Sequence, residues 1–263
     1  MTDQDQVLKV ERLGAVTRIT LNRPKAMNAI NLAMLKALDD VIEALAQDDE
    51  TRVLLITGNG PAFCAGADLK EVLASQDVAP GERDFLDRAS DMFNALRRFP
   101  KPVVAALNGV TMAGGLELAM CADVIVAAES ATLGDAHANF GVYPGAGGAA
   151  LLPRLLPQAL AMYLLFTGKS LTAAQMHTHG LVSEVHAPEQ LADAALALCR
   201  LMADKSPAAL RRMKAVARHA ADKTAADALL HEQVMLREHL RSADFKEGLT
   251  AFAEKRAPVF TGR

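Results

Sequence analysis

A chain of 263 residues, 51% of them hydrophobic, is long enough for one large α/β domain or for a core domain with a helical extension. Its formal charge of -3 and pI near 6.2 exclude the basic face that nucleic-acid binding normally requires, while 28 Lys and Arg leave enough for a local phosphate site. No apolar run approaches the roughly 20 residues of a membrane span. The polar start MTDQDQ reads as neither signal nor transit peptide, and three scattered cysteines without CxxC spacing suggest neither a disulfide framework nor a thiolate metal site. A cytoplasmic setting is the expectation.

Residues 7–12 and 16–21 are β-like runs on either side of Leu13-Gly14-Ala15, which predicts a hairpin, and Asn22-Arg23-Pro24 stops the second strand. Across 31–46, Leu35, Leu38, Ile42 and Leu45 recur at helical spacing with Asp39, Asp40 and Glu43 between them. A fully apolar strand over 53–57 ends in Gly58-Asn59-Gly60-Pro61. The alternation continues with a helix over 84–98, a strand over 103–107, a helix over 115–122 and a strand over 124–128. Continuous apolar strands alternating with helices predict a sheet buried on both faces. Beyond Pro153 the β signal fades to one short strand at 181–185, and 189–254 reads as Ala/Leu-rich helices punctuated at Pro207 and at 222–224. Such helices, apolar on several faces, suggest a layer that packs on something else, another subunit included.

Two glycine-bearing turns carry the candidate chemistry. One follows the strand at 103–107, runs through Asn108-Gly109 to Gly114-Gly115, and reaches Glu117 at a helix start. Glycines permit close backbone approach, a helix N-terminus has unpaired N–H groups, and Gly114 and Glu117 share a face. That is the composition of an oxyanion site with a nearby acid or base. It is equally the composition of a plain turn whose Glu complements the helix dipole. The other turn, Phe63-Cys64-Ala65-Gly66-Ala67-Asp68-Leu69, repeats the design, with Asp68 at N-cap as the bland alternative. Side by side, the two turns could each aim one N–H at the same oxygen.

Other motifs fall away. Gly145-Ala146-Gly147-Gly148-Ala149-Ala150 matches the glycine spacing of a dinucleotide site, yet no apolar strand precedes it and no acidic residue lies near 170, so it reads as pocket wall or as the entry to a helix over 148–155. His177 and His179 lack a third ligand for zinc, there is no GxSxG, and Cys64 reads as a small buried hydrophobe. His137 stands alone among the histidines in a glycine-bounded segment, 134–141.

The strings Asn22-Arg23-Pro24-Lys25-Ala26-Met27-Asn28-Ala29, 63–69, 106–109 with 114–119, Cys121-Ala122-Asp123, 141–148 and 251–256 together resemble the crotonase, or enoyl-CoA hydratase/isomerase, superfamily over essentially the whole chain. The resemblance implies an α/β fold: a crotonase-like spiral of ββα units over 1–190 that carries the CoA thioester site, and a helical C-terminal trimerisation region over 191–263. It implies a homotrimer or dimer of trimers. It also implies an acyl-CoA thioester as substrate, with coenzyme A part of that substrate and no separate cofactor or metal. Ala67 and Gly114 would supply the oxyanion-hole N–H groups. Lys25, Ala26, Met27, Ala29, Ala65, Asp68 and Leu69 would line the CoA groove, with Gly145 in the pocket wall, while Phe252 and Lys255 would contact CoA on a neighbouring subunit.

Glu117 falls on the first of the family's two catalytic glutamates, and His137 stands where the second is expected. Asp135 could substitute only if its loop turns inward. The chemistry implied is hydration of a 2-enoyl-CoA through a stabilised enolate; an isomerase, or a member that binds acyl-CoA without hydrating it, is the alternative that His137 keeps open. The pocket walls are expected from 74–93 and 140–144.

Overall fold

The computed structural model describes residues 6–75 and 81–263. The first five residues, on which the reading of the chain's start rests, and 76–80, part of the expected pocket wall, lie outside the described residues. β1 (Leu8–Leu13) and β2 (Val16–Leu21) pair antiparallel as the expected hairpin. α1 (Leu32–Gln47) follows, started by the Asn31 side chain, which accepts the Met34 N–H at 2.9 Å, and it buries the predicted Leu35, Leu38, Ile42 and Leu45.

From β3 (Val53–Gly58) the chain moves in circuits of strand, strand and helix. The first circuit adds β4 (Ala62–Cys64), α2 (Leu69–Ala74) and α3 (Phe85–Arg97). The second comprises β5 (Val103–Leu107), β6 (Val110–Met112) and α4 (Gly114–Ala119). The third comprises β7 (Val124–Ala128), β8 (Thr132–Gly134), a 3₁₀ turn at His137–Phe140 and α5 (Gly148–Leu155). Then come α6 (Gln158–Thr167), β9 (Ser170–Thr172), α7 (Ala173–Thr178), β10 (Glu184–His186), α8 (Leu191–Ala203), α9 (Pro207–Ala220), α10 (Ala225–His239) and α11 (Ala243–Glu254).

The first strand of each circuit joins a six-stranded sheet in the order β1-β2-β3-β5-β7-β10, and the second joins a four-stranded sheet in the order β4-β6-β8-β9. The central strands β3, β5 and β7 of the large sheet are buried on both faces, as their uninterrupted apolar sequences require. Leu54, Ile56, Val103, Ala105 and Leu107 belong to the main core with α1 and α3. Their alternating neighbours Val53, Leu55, Val104, Ala106 and Val126 meet Leu191, Ala195, Cys199 and Ala203, one stripe of α8. The helical stretch after 190 therefore opens with a helix that covers a sheet face.

Two expectations shift. The strand expected at 181–185 lies at Glu184–His186, because Leu181 and Val182 turn into the core before parallel pairing with β7 begins at Glu184. The segments at 62–64 and 110–112, expected as parts of turns, are strands β4 and β6; three residues are too few to display a period of two.

α10 has no buried residue, and Leu229, Leu230, Val234, Leu236 and Leu240 on it or at its end are exposed. Among the described residues no helix is long and apolar enough to cross a membrane, no group of His, Cys, Asp or Glu is arranged to hold a metal ion, and the three cysteines are buried free thiols.

The joint that brings the circuits together is tight. A Cβ placed on Gly115 would come 2.0 Å from the Cys64 carbonyl oxygen, so the first turn of α4 rests directly on the end of β4. Gly115→Ala is expected to destabilise the fold by about 3 kcal/mol, because backbone on both sides must give way. Chemical denaturation measures it, and a loss within about 0.5 kcal/mol would contradict the tight joint.

Candidate active site

β4, β6 and β8 run parallel and adjacent, so the turns at their carboxyl ends are neighbours. The turn after β4 carries Ala67, the turn after β6 carries Gly114, and the turn after β8 carries Asp135 and His137. Ala67 sits beside the 23–30 segment: Ile30 donates to the Gly66 carbonyl and Asp68 donates to the Ile30 carbonyl, both at 2.8 Å, and neither bond uses the Ala67 N–H. Gly114 is the first residue of α4, where N–H groups have no acceptor within the helix. Ala113, just before it, is held at φ 48°, a conformation that side chains rarely adopt and that aims the chain into the helix. A Cβ on Gly114 would lie 3.4 Å from the Ala67 nitrogen, so the two N–H groups are neighbours.

Ala67, Gly114, Glu117 and His137 all line one cavity of about 150 Å³. Its remaining wall is almost wholly apolar. From the expected wall, Phe85, Leu86, Ala89 and Phe93 line it, as do Phe140, Val142 and Tyr143.

Glu117 is 3% exposed. Its Oε1 accepts N–H groups from Ala146 and Gly148, each at 2.8 Å. Burial raises its pKa above the ordinary carboxylate range, and those two N–H groups and His137 counter the rise only in part. Its Oε2 lies 4.0 Å from His137 Nε2, and the other ring nitrogen, Nδ1, is 2.9 Å from Asp135 Oδ1. For His137, burial favours the neutral ring, but the hydrogen bond and charge of Asp135, with the charge of Glu117, outweigh it and raise the pKa above 6.5. Two N–H donors, a carboxyl group and an imidazole around an apolar-walled cavity can stabilise developing negative charge and move a proton.

The other expected residues divide. Ala65, Leu69 and Gly145 line the cavity. Lys25, Ala26, Met27 and Ala29 do not; their segment is docked beside it by Asn28, whose Nδ2 donates to the Asn59 and Ala62 carbonyls, and by the Ala65 N–H, which donates to the Met27 carbonyl. Asp68 is held by Arg23 at 3.0 Å. Phe252 and Lys255 are exposed at the end of α11, away from this chain's own cavity. Cys64 is fully buried, which pushes its thiol up to about 12 and leaves it no nucleophilic role. Sequence reasoning missed the 146–148 backbone donors and Arg97, which donates to the Ala146 carbonyl and to Asn94 Oδ1 and so braces that loop. The clustered glycines before α5 were the available signal.

Residues 11–263 match the family described as enoyl-CoA hydratase/isomerase, and the chain belongs to that family. It is 39% identical to 2,3-dehydroadipyl-CoA hydratase of Escherichia coli (strain K12) over 256 residues, which cover 97% of this chain and 99% of that one. Among solved structures, the enoyl-CoA hydratase of Bacillus anthracis superimposes with a TM-score of 0.91 at 32% identity, covering 98% of this chain and 100% of that chain. The enoyl-CoA hydratase of Mycobacterium tuberculosis H37Rv gives 0.88 at 35%, with coverage of 98% and 100%. The crotonase-like architecture expected from the motifs is thus the architecture found.

A methyl group on Gly114 meets no clash, its nearest neighbour being the Ala67 nitrogen at 3.4 Å, so it would crowd an oxygen if one were bound by both N–H groups. Gly114→Ala is expected to keep near wild-type thermal stability while lowering turnover of an enoyl-CoA about 100-fold. Thermal melts and steady-state kinetics on the same preparation check both halves.

Proposed function

We propose that this protein adds water to the double bond of a 2-enoyl-CoA thioester. The observation that carries the reading is the placement of Glu117 and His137, 4.0 Å apart, on the same cavity as Ala67 and Gly114. In this reading the thioester oxygen accepts from the Ala67 and Gly114 N–H groups. Glu117 takes a proton from water as its oxygen bonds to Cβ, and the π electrons move onto the thioester oxygen as an enolate. Protonated His137 then delivers its Nε2 proton to Cα. The proton held by Glu117 returns to His137 through water, since 4.0 Å is too long for a direct hydrogen bond. Coenzyme A belongs to the substrate, and no further cofactor enters.

The close carboxyl–imidazole pair also favours a second reading, isomerisation, in which the pair carries a proton between two substrate carbons without water. Formation of 3-hydroxyacyl-CoA from crotonyl-CoA supports hydration; double-bond migration alone supports isomerisation. Thermal stabilisation by acyl-CoA without turnover would leave only binding.

The wall supports an uncharged acyl chain. Apart from His137 no basic side chain lines the cavity, and residues 1–5 and 76–80 contain no Lys or Arg. The adipyl chain in the name of the Escherichia coli relative ends in a carboxylate, which would be buried here without a partner. Crotonyl- or hexenoyl-CoA is therefore expected to exceed 2,3-dehydroadipyl-CoA in kcat/KM by about 100-fold. The exposed leucines of α10 support assembly as a homotrimer or dimer of trimers, which light scattering tests.

The pH profile follows from the two shifts. Glu117 must be ionised, so activity falls with decreasing pH through a limb above the ordinary carboxylate range. His137 must be protonated, so activity falls with increasing pH through a limb above 6.5. Glu117→Gln should lower kcat at least about 1,000-fold, and His137→Ala should lower it about 100-fold and remove the alkaline limb. Unchanged turnover in either variant removes that residue from the mechanism.

A further inference from the structure

Asp135 does not border the cavity, yet it is 1% exposed and directly behind His137. Ala136, held at φ 56°, folds the chain back so that side chains two residues apart meet. Asp135 Oδ1 is 2.9 Å from His137 Nδ1, and the His137 backbone N–H makes a longer contact to the same oxygen at 3.4 Å. The other oxygen, Oδ2, is buried with no hydrogen-bond partner, and a Cβ on Gly148 would approach it to 2.5 Å. A carboxylate kept only to cap the short 3₁₀ turn would not need an oxygen buried without a donor, which costs about 1–3 kcal/mol.

We propose that Asp135 is a positioning residue: by accepting the Nδ1 proton it fixes the tautomer and direction of His137, so that Nε2 faces Glu117 and the cavity and carries the transferable proton. This rests on the reading of the cavity as a proton-transfer site. Asp135 only accepts, so Nδ1 must donate, and the second ring nitrogen is left to exchange a proton. The fixed carboxylate also compensates the imidazolium when it forms. The charged groups acting on the ring are Asp135, from the end of β8, and Glu117, from α4. α6, packed on the 137–140 turn, has Tyr163 as its titratable side chain, and Tyr163 has the Lys169 ammonium 5.7 Å over its ring.

The test compares wild type with Asp135→Asn, Asp135→Ala and His137→Ala on crotonyl-CoA across pH, with ¹⁵N NMR of the His137 ring. Asp135→Asn keeps an acceptor and removes the charge. Its alkaline limb is expected to move to lower pH and kcat to fall about 10- to 100-fold while KM stays within about twofold. In Asp135→Ala the ¹⁵N signals should lose the single Nδ1-protonated tautomer; if that variant does not fold, Asp135→Asn alone decides. A folded Asp135→Asn with the wild-type alkaline limb and kcat overturns the inference. An unaltered profile in His137→Ala overturns the underlying proton-transfer reading instead, and the proton role given to Asp135 with it.

Discussion

Burying the Glu117 carboxyl group at 3% exposure costs free energy that two backbone N–H groups offset only in part. The rest of the site is organised around that residual cost. The 146–148 loop must present Ala146 and Gly148 to one oxygen, which requires glycine where the loop enters α5 and the Arg97 guanidinium on the loop's carbonyl. His137 faces the other oxygen and brings compensating charge when protonated, and Asp135 stands behind it. Each of these groups bears on how much of the carboxyl group's burial cost remains.

The spiral makes this arrangement repeatable. Each circuit passes from the large sheet to the small one and ends in a turn at a carboxyl edge, and because β4, β6 and β8 are consecutive neighbours, three circuits deliver their turns side by side. The two N–H donors come from equivalent places in successive circuits; the imidazole comes from the third. The close approach of Gly115 to the Cys64 carbonyl shows how little slack the packing leaves between the first two.

The long elements were legible because their signals are local. Apolar strands at 53–57 and 103–107 and the stripe from Leu35 to Leu45 each show their own period. β4, β6, β8 and β9 were not, since three residues carry no period and their pairing joins distant segments. At the site, the two glycine turns could be paired from their shared design, and Glu117 with them. The partners of Glu117 could not: Ala146 and Gly148 are 29 and 31 residues away, and the glycines that mark their loop do not say which side chain its N–H groups face. Their glycine-rich string even matches the spacing of a dinucleotide site. His137 was visible as a departure from the family's second glutamate, but only the fold shows Asp135 turned onto it rather than into the cavity.

The central claim is that one oxygen takes both backbone donors while the carbons to be protonated and hydroxylated lie between Glu117 and His137. A crystal structure with an unreactive 2-enoyl-CoA analogue tests it most directly. The account requires the thioester oxygen within about 3 Å of both the Ala67 and Gly114 nitrogens, with Cα nearer His137 Nε2 and Cβ nearer Glu117 Oε2. A thioester oxygen that meets neither nitrogen, or an acyl chain that leaves both side chains on one side of it, would contradict the account.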